Sequence, residues 1–213
     1  MLQEKTKVFC LGLPKTGTTS LNKALAILGY EMCPYDIEWI NQVSRNNYTA
    51  KDIVAKTNNY NGFEDWPWPI LADKLFEIHP KSIYILTVRK DSEIWFDSLR
   101  KHTQRSDSEN SKRLRNIFYG YSDVINDRRN FIEFYENFNK KVISTAEKTG
   151  ISLHVMCFEN GDSWERLSEI LNLNIDPNIL SKPFPKSNSR EEHTKAKKFL
   201  RKCTNFLKKL LSA

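Results

Sequence analysis

No stretch of this chain approaches the roughly twenty consecutive apolar residues that cross a bilayer. The apolar run within Met1–Leu13 is also far too short for the core of a secretory signal. Four cysteines, Cys10, Cys33, Cys157 and Cys203, are widely scattered, and no pair has C-x-x-C spacing. Three of them lie among apolar neighbours, the pattern of reduced, buried thiols in an intracellular, cytoplasmic protein rather than of a disulfide framework. His79, His102, His154 and His193 are dispersed without ligand spacing, so no metal site is expected. Internal repeats and low-complexity segments are absent, and no break in composition divides the 213 residues, which suffice for one α/β domain with a sizeable core. The formal charge of +7 suits an anionic ligand. Any polyanion is drawn to a basic surface, yet no recognition motif or Arg-interleaved aromatic run points to nucleic acid.

What the chain does have is a loop. Val8-Phe9-Cys10-Leu11 reads as a short strand, and Leu21–Leu28 has helical apolar spacing. Between them Gly12-Leu13-Pro14-Lys15-Thr16-Gly17-Thr18-Thr19-Ser20 has the layout of a P-loop, in which backbone N–H groups and a helix N-terminus face an anion. A nucleotide triphosphatase loop places Lys directly after its second glycine. Here Thr18 follows Gly17, and the lysine lies inside the loop at Lys15, which moves the charge to a different point of a bound diphosphate-like group.

Further along, Tyr30–Cys33 suggests a short strand, and Asp36–Tyr60 reads as a helical cap inserted over the sheet. Pro67 and Pro69 keep Gly62–Pro69 from continuing a helix. A helix fits Ile70–Ile78. Ser82–Val88 is the clearest strand, apolar enough to be buried on both faces of a parallel sheet. Asp91 or Ser92 caps the next helix, Glu93–Lys101. Ser106–Asn116, charged and polar, reads as a loop, and Tyr121–Lys148 as a helix. Ser152–Phe158 and Asp162–Leu171 form a last strand and helix. This alternation predicts a three-layer α/β fold, a central parallel sheet with helices on both faces. At the end, His193–Ala213 has an apolar stripe with lysines between, the pattern of a terminal helix (191–213) docked on its own domain.

Pro14-Lys15-Thr16-Gly17-Thr18-Thr19-Ser20 closely resembles the 5′-phosphosulfate loop of the soluble sulfotransferases, which use 3′-phosphoadenosine 5′-phosphosulfate (PAPS) as sulfuryl donor. The segment Leu86–Leu99 resembles their 3′-phosphate motif, in which an Arg ends a strand and a Ser lies on the following helix. Phe63–Pro69, Glu159–Leu167 and Pro183–Arg190 look like further, less specific landmarks of the group. The resemblance implies that Lys15 neutralises the departing phosphate, with hydroxyls of Thr16, Thr18, Thr19 and Ser20 and the turn at Gly17 around the 5′-phosphate. It implies that Arg89 and Ser98 meet the 3′-phosphate. The interval from Arg89 to Ser98 is one residue longer than is common in the family, which leaves Lys90 as the alternative to Arg89. The segment with Lys186, Asn188 and Arg190 reads equally as a basic closure over the nucleotide, as in many members of the family, or as a linker before the last helix.

Sulfuryl transfer needs no metal where Lys and helix-end amides neutralise charge, but the acceptor needs a base. Asp65, in a turn bracketed by Trp and Pro, is the first choice, ahead of Asp36, Glu64 and His102. The expected acceptor is a hydroxyl or amine on a small molecule, glycan or lipid, with adenosine 3′,5′-bisphosphate as the other product. Two other functions fit the loop: a P-loop kinase or other phosphotransferase, and a nucleotide-binding module that has lost its chemistry.

Overall fold

The structure, a computed structural model, describes residues 5–105 and 107–186. Its centre is an all-parallel sheet of β1 (Val8–Cys10), β2 (Gly62–Phe63), β3 (Ile83–Thr87) and β4 (Leu153–Met156), in the order β2-β1-β3-β4. Successive strand residues face opposite ways, and each face has its own core. Val8, Cys10, Ile85 and Met156 meet α1 (Thr18–Ile27) and α8 (Trp164–Leu171) through Leu21, Leu25, Trp164 and Leu167. On the other face Phe9, Leu11, Tyr84 and Leu86 pack under α2 (Ile37–Ser44), α3 (Ala50–Thr57), α4 (Ala72–Ile78) and α7 (Arg128–Thr149). The chain is thus a three-layer α/β fold. Strands buried on both faces explain why β1 and β3 are apolar without alternation.

A third cluster lies beyond the sheet and includes Leu13 of the loop. Around it gather Trp66, Trp95 and Phe96 of α5 (Ser92–Arg105), Phe118 and Tyr119 of α6 (Glu109–Tyr119), and Phe131 and Tyr135 of α7. The loop is therefore rooted in packed aromatics.

Several expectations change. Residues 109–119 form α6 where a loop was expected. Ser108 caps it by accepting from Ser111 N at 3.2 Å, Gly120 closes it in the left-handed region, and Arg115, Phe118 and Tyr119 are buried. The charges of this segment hid its apolar stripe. Tyr30–Cys33 forms only an isolated bridge from Met32 to Gly62, and the strand beside β1 is instead Gly62–Phe63. Residues 68–71 form a 3₁₀ turn before α4. Asp91, rather than Ser92, caps α5 by accepting from Ile94 N at 2.7 Å. Within 36–60 the helices α2 and α3 send Trp39, Ile40, Val43 and Ile53 into the core. The tail helix and Ser187–Arg190 lie outside the described residues.

Phe9 is the keystone of one face: fully buried, it stacks on Phe63 at 4.5 Å and on Tyr84 at 5.5 Å. Phe9→Ala is expected to destabilise the fold by about 3–5 kcal/mol, read as a lower urea midpoint with little change in slope.

Candidate active site

The sheet order reverses direction between β1 and β3, since β1 leads out to β2 on one side and β3 lies on the other. Ligands of open α/β sheets bind at such a switch point, beyond the carboxyl ends of the strands. Both expected phosphate motifs lie here: the glycine-bounded loop leaves β1, and Arg89 follows β3.

The loop's shape follows from close contacts. The register sets Cys10 beside Ile85, so two residues on, Gly12 runs past Thr87. A Cβ on Gly12 would lie 1.9 Å from Thr87 Oγ1 and 2.7 Å from Thr16 Oγ1. That space is taken by a chain of hydrogen bonds. Thr16 Oγ1 donates to Leu13 O at 2.7 Å, so its contact with Thr87 Oγ1 at 2.6 Å makes Thr87 the donor. Cys10 Sγ, 3.7 Å from Thr87 Oγ1, then donates to Thr87, and burial, which pushes the thiol up to about 12, keeps it protonated.

The other loop carbonyls are also held from behind. Trp95 Nε1 donates to Pro14 O at 2.9 Å, and Arg89 Nη1 donates to Lys15 O at 3.2 Å. Lys15 has φ 76° and Gly17 φ 101°, two left-handed residues that reverse the chain into α1. At Gly17 a side chain is excluded a second time, because its Cβ would meet the Phe158 ring at 2.5 Å. Gly17 caps α1 without a side chain. The N–H groups of the helix's first turn have no intrahelical acceptor, and they point from a positive dipole end toward the switch point.

Two cavities meet here. One, of about 470 Å³, is lined by Thr16, Gly17, Ser20, Phe158, Glu159 and Lys186 among others. The second, of about 560 Å³, contains Ser98, Lys101 and Arg105 of α5. Arg89 lines both. Lys90 is exposed and lines neither. The acids of the second cavity are paired: Asp97 with Arg100 at 2.6 Å and with Lys101, Glu93 with Arg128. The cavity keeps a basic balance.

Not every expected hydroxyl faces the cradle. Those of Thr16 and Thr18 turn into the protein, Thr16 to Leu13 O and Thr87, and Thr18 to Glu64. The Thr16 N–H is spent as well, on Leu13 O at 3.2 Å. Thr16 is thus a strut of the loop, whereas Thr19 is exposed and Ser20 lines the cavity.

Beside the loop, Asp65 has φ 65° and accepts from Trp66 N at 2.8 Å. Burial pushes its carboxyl up, while that N–H and nearby Lys15 pull it down. Lys15 in turn is lowered by burial and by Arg105, against the pull of Asp65. Glu64 is pushed up to about 7, by burial first and then by Asp65, against hydrogen bonds from Thr18 and Asn22. Of the other candidate bases, Asp36 is committed to capping α2, accepting from Glu38 N at 2.9 Å and Trp39 N at 3.1 Å, and to an ion pair with Lys56. His102 is exposed on α5.

Thr87, Trp95 and Glu159 were not among the expected site residues. Thr87 did carry a signal, a polar residue at the end of an otherwise apolar strand. Trp95 and Glu159 act through contacts between distant segments, which no local pattern displays.

Among the described residues no group of His, Cys, Asp and Glu is placed to hold a metal ion, and no helix is long and apolar enough to cross a membrane. A parallel α/β sheet with a glycine-bounded loop at its switch point is an architecture shared by many proteins that bind phosphate groups. The family model described as the sulfotransferase domain matches residues 7–193, and the chain belongs to that family. A comparison with curated proteins finds no match.

Glu64 gives the site a pH signature. Its folded pKa of about 7 lies above its ordinary 4.5, so the folded state binds its proton more tightly than the unfolded one. This contribution is present in full below about pH 4.5 and lost as pH rises through 7. The Glu64→Gln variant is expected to gain stability over the parent as pH rises from 5 to 8, by at most roughly 3 kcal/mol, as checked by thermal melts across that range. Parallel curves for the two proteins would contradict this.

Proposed function

We propose that this sulfotransferase takes its sulfuryl group from PAPS and passes it to a hydroxyl or amine acceptor on a small molecule, glycan or lipid. The observation that carries the reading is Arg89 lining both cavities. A donor with phosphate groups on the 5′ and 3′ carbons of one ribose needs two anion sites a single sugar apart, and one guanidinium links the two sites here. The first-turn N–H groups of Gly17, Thr18 and Thr19, together with Ser20, receive the 5′-phosphate. Arg89, bidentate by nature, and Ser98 receive the 3′-phosphate.

Transfer is an in-line displacement in which positioning and charge neutralisation do most of the work. The acceptor oxygen or nitrogen attacks sulfur as the bond from sulfur to the bridging oxygen breaks, and adenosine 3′,5′-bisphosphate leaves. Lys15 neutralises charge on that oxygen. Asp65 takes the acceptor's proton, and its burial, by pushing its carboxyl up, makes it a stronger base than an exposed aspartate. A triphosphatase mechanism would want a lysine where Thr18 stands. The buried, unpaired thiols of Cys10, Cys33 and Cys157 support a reducing compartment, the cytoplasm.

Adenosine 3′,5′-bisphosphate is expected to raise the melting temperature, by an amount equivalent to about 2.7 kcal/mol at a hundredfold excess over Kd. ATP with Mg²⁺ at equal concentration should do much less. Equal or greater stabilisation by ATP would favour the phosphotransferase reading, and binding without turnover on any acceptor would favour a non-catalytic module.

The two cations are expected to separate in kinetics. Lys15→Ala should abolish turnover while the protein still folds, because its charge acts on the leaving oxygen in the transition state. Arg89→Ala should weaken bisphosphate binding by roughly 2–5 kcal/mol, measured by calorimetry. Unchanged affinity in Arg89→Ala would move the 3′-phosphate site to Lys90.

A further inference from the structure

A carboxylate stands inside the anion cavity. Glu159 lies on the 3₁₀ turn Phe158–Asn160 that follows β4, and its Oε1 is 2.6 Å from Arg89 Nε. The pairing is one of charge rather than of hydrogen bonding, since Arg89 Nε is buried and has no hydrogen-bond partner. The carboxylate sits close to the guanidinium but off the line of its N–H. Glu159 Oε2 meanwhile accepts from Cys157 Sγ at 3.5 Å.

The surroundings narrow what Glu159 does. The turn that carries it is fixed, because the Phe158 ring lies against Gly17 and Asp162 accepts from Cys157 N at 2.6 Å. Its backbone is therefore held, while its side chain, 28% exposed, lines the cavity. Arg89 is held from elsewhere, its Nη1 on Lys15 O and its backbone N–H on the Tyr135 hydroxyl at 2.9 Å. Glu159 is not needed to bring the guanidinium to the wall between the cavities. What it supplies is a negative charge where a ligand phosphate would supply one.

We propose that Glu159 is the resident counter-ion of Arg89, which the 3′-phosphate must displace, so that nucleotide affinity is set by exchanging one anion for another. This rests on the reading of Arg89 given above. The exchange favours phosphate on two grounds. A phosphate monoester carries nearly two negative charges against the single charge of a carboxylate, and its oxygen can take the Nε–H in line, making the charge-assisted hydrogen bond that Glu159 leaves unmade. After transfer the carboxylate returns to Arg89 and lowers the affinity for the product. Glu159 thereby acts on nucleotide binding through Arg89, without touching the reacting atoms.

The test is calorimetric titration of the parent protein, Glu159→Gln, Glu159→Ala, Arg89→Ala and the double variant Arg89→Ala/Glu159→Gln. The ligands are adenosine 3′,5′-bisphosphate and, lacking the 3′-phosphate, adenosine 5′-monophosphate. Thermal melts without ligand identify any variant that has lost its fold, and Glu159→Ala stands in if Glu159→Gln has. Loss of Glu159 is expected to tighten bisphosphate binding roughly tenfold, about 1.4 kcal/mol, with a much smaller effect on the monophosphate. In the Arg89→Ala background the gain should vanish, since coupled residues do not add. Weaker or unchanged bisphosphate binding on losing Glu159 would overturn the exchange, the former showing that Glu159 positions Arg89 instead. An equal gain for both nucleotides, or a gain that survives Arg89→Ala, would overturn it too, because a general field effect would suffice. If Arg89→Ala itself leaves bisphosphate affinity unchanged, the assignment of Arg89 to the 3′-phosphate fails.

Discussion

The carbonyl oxygens of the anion loop are bound from behind, and the rest of the site depends on that. Leu13 O accepts from Thr16, Pro14 O from Trp95, and Lys15 O from Arg89. With the acceptors tied to the protein, the amides of the first turn of α1 and the Lys15 side chain are left to meet a ligand. Of the donors, Arg89 follows β3 and Trp95 lies on α5, the next helix, while Thr87 at the end of β3 braces Thr16. The two halves of the switch point are thereby one mechanical unit. Arg89 has a double position, as a clamp on the loop and as the shared wall of the two cavities.

Acids give this basic site its second theme, and each has a distinct environment. Glu64 lies behind the loop, bonded to Thr18 and Asn22, with burial holding its proton into the neutral range. Asp65 is balanced between burial and the charge of Lys15. Glu159 faces Arg89. Perturbed carboxyls in a cleft are a mark of chemistry more than of stability, and here the perturbed pair, Glu64 and Asp65, stands beside the one loop lysine. A proton acceptor and a cation next to each other are what an attack by a hydroxyl with departure of a phosphate requires.

Much of this was legible in the sequence because its signals are local. The strand Ile83–Thr87 announced itself by β-branched, unbroken apolar character, and the loop by two glycines and a displaced lysine. The α/β class followed from alternation, and the family match over residues 7–193 agrees with the resemblance carried by the loop. Less legible were features made by contacts between distant segments. Gly62–Phe63 is a strand only because β1 offers it an edge, and α6 was hidden by the charges on its exposed side. The inward turn of the Thr16 and Thr18 hydroxyls could not be read from a run of hydroxyl residues, since it depends on Thr87 and Glu64, far along the chain. Glu159 likewise resembled a landmark of the family, and its position against Arg89 emerges only from the packing of the turn after β4 on Gly17.

The central claim is that one nucleotide bridges the loop and the Arg89–Ser98 cavity, and a crystal structure of the protein with adenosine 3′,5′-bisphosphate tests it most directly. The 5′-phosphate is predicted on the amides of Gly17, Thr18 and Thr19, with the 3′-phosphate on Arg89 and Ser98 and the ribose between them. A 3′-phosphate directed away from Arg89, or a nucleotide bound outside the glycine loop, would contradict it.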